Sequence, residues 1–210
     1  MTTADDRRLR ADAARNVERI LRAARAVYAE VGPDAPLDVI AERACVGERT
    51  LYRRFPNKGD LVRAALEQSI AEDLAPVIAK ARRAKNPLRG LTQLIEAAIS
   101  LGAREHHILA AARRAGSLTE DVSTPLYEAL NELTDRAQQA GLVRADLVAA
   151  DDLPRLIAML NSVLWTMDLP SDGWRRYVAL ILDAISTAPP RRLPKAAPLR
   201  FVPRSDVWPM

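Results

Sequence analysis

A cluster of cationic side chains between Arg49 and Lys58 has the residue types that bind a polyanion. This stretch holds four basic residues, Arg49, Arg53, Arg54 and Lys58, and no acidic residue. The formal net charge of the whole 210-residue chain is only +4, so the cations are locally concentrated. Guanidinium and ammonium groups at this density suit phosphates. Taken alone, the cluster is equally consistent with a solvated basic helix face.

The elements that position these cations are predicted to be two short helices joined by a turn. Apolar residues recur at helical spacing on the first of them, at Leu37, Ile40, Ala41 and Ala44. We expect Gly47 to interrupt this helix by adopting backbone angles that other residues avoid. A second helix is predicted over residues 48–54, with Leu51 and Phe55 on its inner side. This layout is typical of a helix-turn-helix whose second helix enters the DNA major groove.

The stretch TLYRRFPNKGDLV within this region resembles the signature of the TetR family of transcriptional regulators. The positions that match the family's pattern are Ala41, Ala44, Val46, Thr50, Leu51, Tyr52, Phe55, Lys58 and Leu61. The positions that depart from it are Cys45, where Gly is usual, Gly47, where Ser is usual, and Arg54, where His is usual. The first two departures concern turn geometry and helix capping, and the third exchanges one phosphate-binding group for another.

Placed on a recognition helix, the cations acquire distinct expected roles in DNA binding. Arg49 is the first candidate for a base contact, because its planar fork matches O6 and N7 of guanine, and Thr50 and Arg53 are the next candidates. Tyr52, Arg54 and Lys58 are expected to contact phosphates. Lys58 lies at the predicted start of the next helix, where backbone N–H groups also attract phosphate.

The rest of the sequence predicts an all-α fold. Hydrophobic residues make up 49% of the chain and aromatic residues only 4%, and the apolar spacing indicates about nine helices and no strand. We expect a flexible arm over residues 1–14, a helix-turn-helix domain over 15–60, an effector-binding and dimerisation domain over 61–187, and a Pro/Arg-rich tail over 188–210. Arg7, Arg8 and Arg10 of the arm either reach DNA or belong to a frayed, solvated terminus. Within helix 58–83, Pro76 predicts a kink or a boundary.

Two helices near the end of the chain, over residues 150–167 and from about 172 to 186, are unusually apolar. The plain interpretation is deep burial within one subunit; the alternative is contact with both the subunit's own body and a partner. The family resemblance implies the alternative, a homodimer formed by a four-helix bundle of these helices. The candidate interface residues are Leu153, Ile157, Leu160, Leu164, Trp174, Tyr177 and Ile181.

The resemblance also implies a small-molecule effector site in the larger domain, where the sequence gives few indications. The polar and aromatic candidates for the pocket are Arg104, His107, Tyr127, Asn161 and Trp165, with His106 as a further one. The plainer and favoured interpretation of each is a capping, surface or core residue. The Ala/Leu/Ile-rich character of the intervening helices favours an apolar ligand.

Several classes of function are disfavoured by what the sequence lacks. We expect no enzyme, no cofactor and no metal, because the chain has no Gly-rich phosphate loop, nucleophile elbow or metal-ligand spacing. The start, MTTADDRRLR, has no apolar signal segment, and one cysteine leaves no internal disulfide, so the expected location is the cytoplasm. Cys45 is interpreted as a small buried residue, with a redox switch as the alternative. An architectural binder that lacks sequence preference is the competing class of DNA-binding protein.

Overall fold

A computed structural model describes residues 3–117, 120–167, 172–189 and 192–196, and within these ranges the fold is all-helical. Nine helices are present when the continuous helical run over residues 58–82 is counted once. They are α1 (Thr3–Val31), α2 (Leu37–Arg43), α3 (Glu48–Arg54), α4 (58–82), α5 (Pro87–Arg104), α6 (His106–Arg114), α7 (Glu120–Gln139), α8 (Ala149–Val163) and α9 (Arg175–Ile185). The predicted fold class is confirmed. In the described part of the chain, no helix has both the length and the apolar character needed to cross a membrane.

Helix α1 begins far earlier than predicted, at Thr3, so the expected flexible arm is helical from residue 3 onward. Residues 3–14 contain neither Gly nor Pro and are rich in Ala and Arg, which favour a helix. Ion pairs of Arg15 with Asp12 and of Arg22 with Glu18 add support one turn apart. Arg8 is exposed, and the side chains of Arg7 and Arg10 lie outside the described set.

Helix α7 starts at Glu120, before the Thr124–Pro125 pair, which as a capping residue followed by a proline would favour a helix start. Pro125 therefore lies inside the helix, near its beginning. A proline there removes the hydrogen bond to the carbonyl of residue 121 and its ring crowds that carbonyl, yet the helix continues through it.

The chain divides into two compact units, and none of the three boundaries between them coincides with the predicted one near residue 60. The first unit, hereafter the DNA-binding unit, comprises Met1–Asp73 and Arg104–Ser123. The second, hereafter the C-terminal unit, comprises Leu74–Ala103 and Thr124–Met210. The first unit takes in α6 because the helix-turn-helix by itself buries too little apolar surface to be stable.

The core of the DNA-binding unit joins α1, α2, α3, the first part of α4 and α6. Its largest fully buried side chains are Ile20, Tyr28, Ile40, Leu51, Leu61 and Ile108. Ile108, Ala111 and Ala112 of α6 belong to this same core. Helix α6 therefore packs directly on the helices that hold the helix-turn-helix.

Helix α4 changes its hydrogen-bonding geometry in the middle. It is α-helical over Lys58–Ser69, forms a π-helical turn over Ile70–Leu74, and is α-helical again over Ala75–Arg82. Pro76 lies two residues after the π turn and cannot donate to the carbonyl four residues earlier, so regular α-helix is interrupted there. The structure thus has the discontinuity that Pro76 predicted, and it falls in the sequence where the two units meet.

A polar cluster surrounds this turn within the DNA-binding unit; we call Arg25, Ser69, Glu72, Asp73, Arg104 and Glu105 the Glu105 cluster. The Glu105 side chain is 7% exposed and accepts hydrogen bonds from Arg25 Nη2 at 2.6 Å and Ser69 Oγ at 3.1 Å. Arg25 Nη1 also donates to Glu72 at 2.9 Å, and Arg104 donates to Asp73 at 2.8 Å. Partial burial lowers the pKa of Arg25, but the Glu105 and Glu72 carboxylates outweigh it and raise that pKa overall.

The C-terminal unit is built from the second part of α4 with α5, α7, α8 and α9. Its fully buried apolar side chains include Leu91, Leu94, Ile95, Ile99, Leu130 and Leu133. An isolated antiparallel bridge between Val143 and Ser186 joins the segment after α7 to the end of α9. Residues 192–196 of the tail have no regular structure, and Pro194 accepts a hydrogen bond from Arg176 Nη1 at 2.7 Å.

Glu105→Gln is expected to destabilise the DNA-binding unit by about 2 kcal/mol, because it removes the buried negative charge that faces Arg25. The matched variant Glu72→Gln, on an exposed partner of the same arginine, should cost less than about 1 kcal/mol. Chemical denaturation followed by circular dichroism measures both values. Equal losses from the two variants would show that burial gives Glu105 no special weight.

Candidate nucleic-acid interface

The turn between α2 and α3 is fixed by two backbone hydrogen bonds that end α2. Val46 N–H donates to the Ala41 carbonyl at 3.0 Å, and Cys45 N–H donates to the Glu42 carbonyl at 3.0 Å. This pair of bonds requires a left-handed residue at the position of Cys45, and Cys45 has a φ of 53°. Gly47, which the sequence suggested would supply the unusual angles, has an ordinary extended φ of −68° as the N-cap of α3. The expectation for Gly47 is therefore wrong.

The orientation of α3 is set by two apolar side chains on its inner face. Leu51 is completely buried and Phe55 is 6% exposed, both within the core that contains Tyr28 of α1 and Ile40 of α2. At about 25 cal/mol per Å² of apolar area, their burial stabilises the helix in one rotational position. The opposite face of α3 is consequently turned to solvent.

All six residues predicted to bind DNA have accessible side chains. Arg49, Tyr52, Arg53 and Arg54 are exposed, whereas Thr50 and Lys58 are half-buried. The Arg49, Arg53 and Arg54 side chains have no acidic partner among the described residues. The helix thus presents uncompensated positive charge beside an aromatic ring, which suits a phosphate backbone.

Glu48 is the one acidic residue within α3, and two acidic residues elsewhere in the DNA-binding unit are held by other arginines. Glu30 receives two hydrogen bonds from Arg43, at 2.9 and 2.7 Å, and Asp34 receives one from Arg114 at 2.7 Å. These hydrogen bonds hold the pKa of each carboxyl below its ordinary value. Both carboxylates are therefore ionised and paired near neutral pH.

The N-terminus of α4 holds Lys58 in a defined place. Asn57 caps the helix, since its side-chain oxygen accepts from Asp60 N–H at 2.9 Å. The Lys58 ammonium lies 5.6 Å from the centre of the Tyr28 ring, within range of a cation–π interaction. Burial, with a smaller contribution from Asp34, raises the pKa of Tyr28 to about 12, so the phenol stays neutral.

The predicted effector residues are not gathered into one site. Arg104 and His107 belong to the DNA-binding unit, while Tyr127, Asn161 and Trp165 belong to the C-terminal unit. Arg104 is engaged in the Glu105 cluster, and the His107 ring lies 3.7 Å from that of His106. In the described residues, Asn161 packs so tightly on Gly102 that a Cβ added there would lie 2.3 Å from its side-chain oxygen. Asn161 therefore fills space between α5 and α8.

The residues predicted for the dimer interface are mostly buried inside a single subunit. Leu153, Ile157, Leu160, Leu164 and Trp174 are between 1% and 6% exposed without any partner present. They have almost no surface left to offer a second subunit, so that part of the prediction is wrong. Tyr177 and Ile181 are half-buried and retain accessible surface. The sequence showed that both helices are strongly apolar but could not show which apolar face the subunit's own core uses.

A second apolar face on α8 and α9 was missed among the interface candidates. Met159 is 61% exposed and Leu180 is 42% exposed. Half-buried Val163 lies one turn after Met159, and Tyr177, Ile181 and exposed Ala184 lie within one turn of Leu180. We call Met159, Val163, Tyr177, Leu180, Ile181 and Ala184 the apolar α8–α9 face. Exposed large apolar side chains on adjacent helix turns commonly mark an interaction surface.

Cys45 is exposed rather than buried, contrary to the sequence-based interpretation. Its position follows from the left-handed backbone at the end of α2, which directs the side chain away from the core. Within the described residues, no group of three or more His, Cys, Asp or Glu side chains could hold a metal ion.

Comparisons with known proteins agree on the class of this chain. Residues 20–65 match the family described as bacterial regulatory proteins, tetR family. A TetR transcription regulatory protein from Mycobacterium vanbaalenii is 30% identical, with a TM-score of 0.56 over 85% of this chain and 99% of that one. A TetR transcriptional regulator from Streptomyces coelicolor is 28% identical, with a TM-score of 0.59 over 82% and 99% of the two chains.

A likeness of fold alone extends to the transcriptional regulator FadR from Bacillus subtilis, solved in complex with stearoyl-CoA. It is 18% identical, with a TM-score of 0.63 over 80% of this chain and 98% of that one. No curated protein matches the sequence.

Cys45→Gly is expected to raise stability by about 1 kcal/mol, because glycine adopts the left-handed backbone without the strain of a Cβ atom. Thermal unfolding should then shift upward by about 2–4 °C. The control Cys45→Ala keeps the Cβ and should leave the midpoint almost unchanged. A downward shift from Cys45→Gly would contradict the strain assigned to this turn.

Proposed function

This chain belongs to the TetR family of DNA-binding transcriptional regulators, and from that premise we propose that it is a repressor released from a palindromic operator by a small-molecule effector. The observation that carries the proposal is the exposed, uncompensated cationic face of α3, held in one orientation by buried Leu51 and Phe55. A two-fold dimer presents this face twice, and two half-sites on DNA lie one helical turn, roughly 34–36 Å, or a multiple apart.

The proposed contacts divide into base reading and backbone positioning. Arg49, in the first turn of α3, makes a bidentate contact to guanine, with Thr50 and Arg53 beside it on the same helix. Tyr52, Arg54 and Lys58 bind phosphates and fix the register on the duplex. The stacking of Lys58 on Tyr28 supports its role, since the ammonium is already oriented before DNA arrives.

The proposed dimer forms through the apolar α8–α9 face rather than through the buried residues of the same helices. Exposure of Met159 and Leu180 supports this assignment, since burying them against a second copy removes apolar area from water. Tyr177 and Ile181, from the predicted interface, lie on this face and remain part of the proposal.

The proposed effector is an apolar small molecule that binds the C-terminal unit. The Ala/Leu/Ile-rich composition of α5 and α7 supports an apolar ligand. The stearoyl-CoA bound to the Bacillus subtilis regulator is a precedent for a ligand with a long acyl chain on this fold. Tyr127, Asn161 and Trp165 are the polar and aromatic side chains of this unit that we propose to orient it.

We propose that the operator is released by movement of α6 and of the π turn of α4. Helix α6 packs in the core of the DNA-binding unit, and Glu105, just before it, receives hydrogen bonds from Arg25 of α1 and Ser69 of α4. A shift of α6 therefore changes contacts to both helices that support the helix-turn-helix. An effector moves this balance only by binding one arrangement more tightly than the other.

Arg49→Ala is expected to reduce operator affinity by about 1–3 kcal/mol and to relax the preference for operator over unrelated DNA. Lys58→Ala should instead weaken binding to all duplexes alike and lower the slope of log K against log salt by about one unit. Fluorescence anisotropy with operator and scrambled duplexes at several salt concentrations separates the two effects. Undiminished sequence preference in Arg49→Ala would refute the base-reading role, and absence of any preference in the unmodified protein would favour an architectural binder.

Leu180→Glu is expected to convert a dimer into a monomer, because it places a charge in the centre of an apolar interface. Sedimentation velocity gives the mass, and circular dichroism confirms that the variant is folded. The control Val31→Glu alters an apolar residue that is 56% exposed at the end of α1, and it should leave the mass unchanged. A Leu180→Glu protein that remains dimeric would place the interface elsewhere.

A further inference from the structure

Hydrogen bonds from α7 hold the turn between α4 and α5 in the C-terminal unit. Arg136 of α7 donates to the carbonyls of Arg82 and Ala84 at 2.7 and 2.9 Å. Gly90 of α5 lies so close that an added Cβ would meet the Ala81 carbonyl at 2.7 Å. The backbone of this turn is therefore fixed before any ligand binds.

A groove of about 620 Å³ opens on this turn, and we call it the α4–α5 groove. Its lining includes four cations, Lys80, Arg83, Lys85 and Arg89, and no acidic or aromatic residue. All four cations are exposed, and none has an acidic partner among the described residues. Residues 74–95 contain five basic residues and no acidic one, so the surrounding sequence supplies no counter-charge either.

Arg82, the fifth basic residue of residues 74–95, differs from the groove cations because it has an acidic partner. Its Nε lies 3.0 Å from Glu132, and its side chain is half-buried. The charge of Arg82 is thus neutralised by Glu132 of α7, whereas the four groove cations are exposed to solvent.

Stabilisation of helix ends accounts for only two of the groove cations, Lys80 and Arg83 at the C-terminus of α4. Cations are favourable at the C-terminus of α4, but Arg136 already satisfies two carbonyl groups there. Lys85 and Arg89 flank the N-terminus of α5, an 18-residue helix whose dipole disfavours positive charge at that end. Like charges placed together against a helix dipole lower stability, so an external anion is the partner that offsets them.

From this arrangement we infer that the α4–α5 groove is a binding site for a small molecule carrying two or more linked phosphate groups. A single phosphate accepts from one or two guanidinium groups, and four cations around one groove exceed that requirement. The volume matches that of ligand sites for small molecules, about 300–1,000 Å³. With no aromatic side chain in the lining, recognition rests on the phosphates and not on stacking of a base.

The site is independent of the proposed operator release, because no groove residue belongs to α3 or to the Glu105 cluster. Inorganic tripolyphosphate is a suitable probe, with ADP and orthophosphate as comparison arms. Isothermal titration calorimetry on the full chain at about 0.15 M salt, where long-range attraction is screened, measures each affinity. Stronger binding of tripolyphosphate than of ADP would point to an inorganic polyphosphate, and the reverse to a nucleotide-type ligand.

The double variant Arg83→Gln/Arg89→Gln removes two groove cations and should weaken tripolyphosphate binding about tenfold or more, since two charge-assisted hydrogen bonds are lost. The matched control Arg19→Gln/Arg113→Gln removes the same charge from exposed positions on α1 and α6 and should keep the affinity within about twofold. Circular dichroism and thermal unfolding confirm that both variants are folded.

Three results would overturn the inference. One is equal weakening by the two double variants, which would mean that tripolyphosphate responds only to net charge. Another is the absence of measurable tripolyphosphate binding to the unmodified chain. The third is that the groove variant loses affinity for a scrambled DNA duplex as strongly as for tripolyphosphate, which would make the groove a contact for the DNA backbone.

Discussion

The burial of Leu51 and Phe55 is the interaction on which the DNA-binding unit depends. Helix α3 has only seven residues, too few for a stable helix in water, so its conformation comes from packing and not from its own hydrogen bonds. Because both side chains enter one core with α1 and α2, the rotation of α3 about its axis is fixed. The cations at intervening positions are then directed to solvent by geometry alone, and no contact among them is needed to hold the face open.

The charged residues, like the apolar ones, divide into those that support the fold and those that face solvent for binding. Several arginines away from α3 are paired: Arg43 with Glu30, Arg114 with Asp34, and Arg25 with Glu105. Each pair joins two different segments of the DNA-binding unit. The cations of α3 and of the α4–α5 groove have no such partner in the described residues. The cations of α3 and of the α4–α5 groove thus form two exposed basic surfaces, whereas the three paired arginines link segments of the DNA-binding unit.

Departures from the family's sequence pattern explain where local geometry is unusual. Cys45 occupies the left-handed position at the end of α2 that glycine normally fills, at a cost of about 1 kcal/mol. Gly47 caps α3 without a side-chain hydrogen bond, which serine would supply. Both changes weaken the turn slightly, and the core around Leu51 compensates for them. The π turn of α4 beside Pro76 is a third irregularity, and it coincides with the Glu105 cluster that joins α1, α4 and the start of α6.

Apolar periodicity and residue order in the sequence determined the helical class, the helix-turn-helix, the caps at Asn57 and the break near Pro76, because each depends on residues within a few turns of one another. Exposure of the α3 cations also followed, since Leu51 and Phe55 define the inner face. The tertiary structure alone decided which apolar face of α8 and α9 is buried, because Leu153 and Met159 are equally hydrophobic and differ only in what packs on them. Only the tertiary structure also brought Glu105 to Arg25, 80 residues away in sequence. It likewise brought Arg136 to the α4–α5 turn, more than 50 residues away. Periodicity along the chain cannot encode such distant contacts, and these are the contacts that place each functional surface.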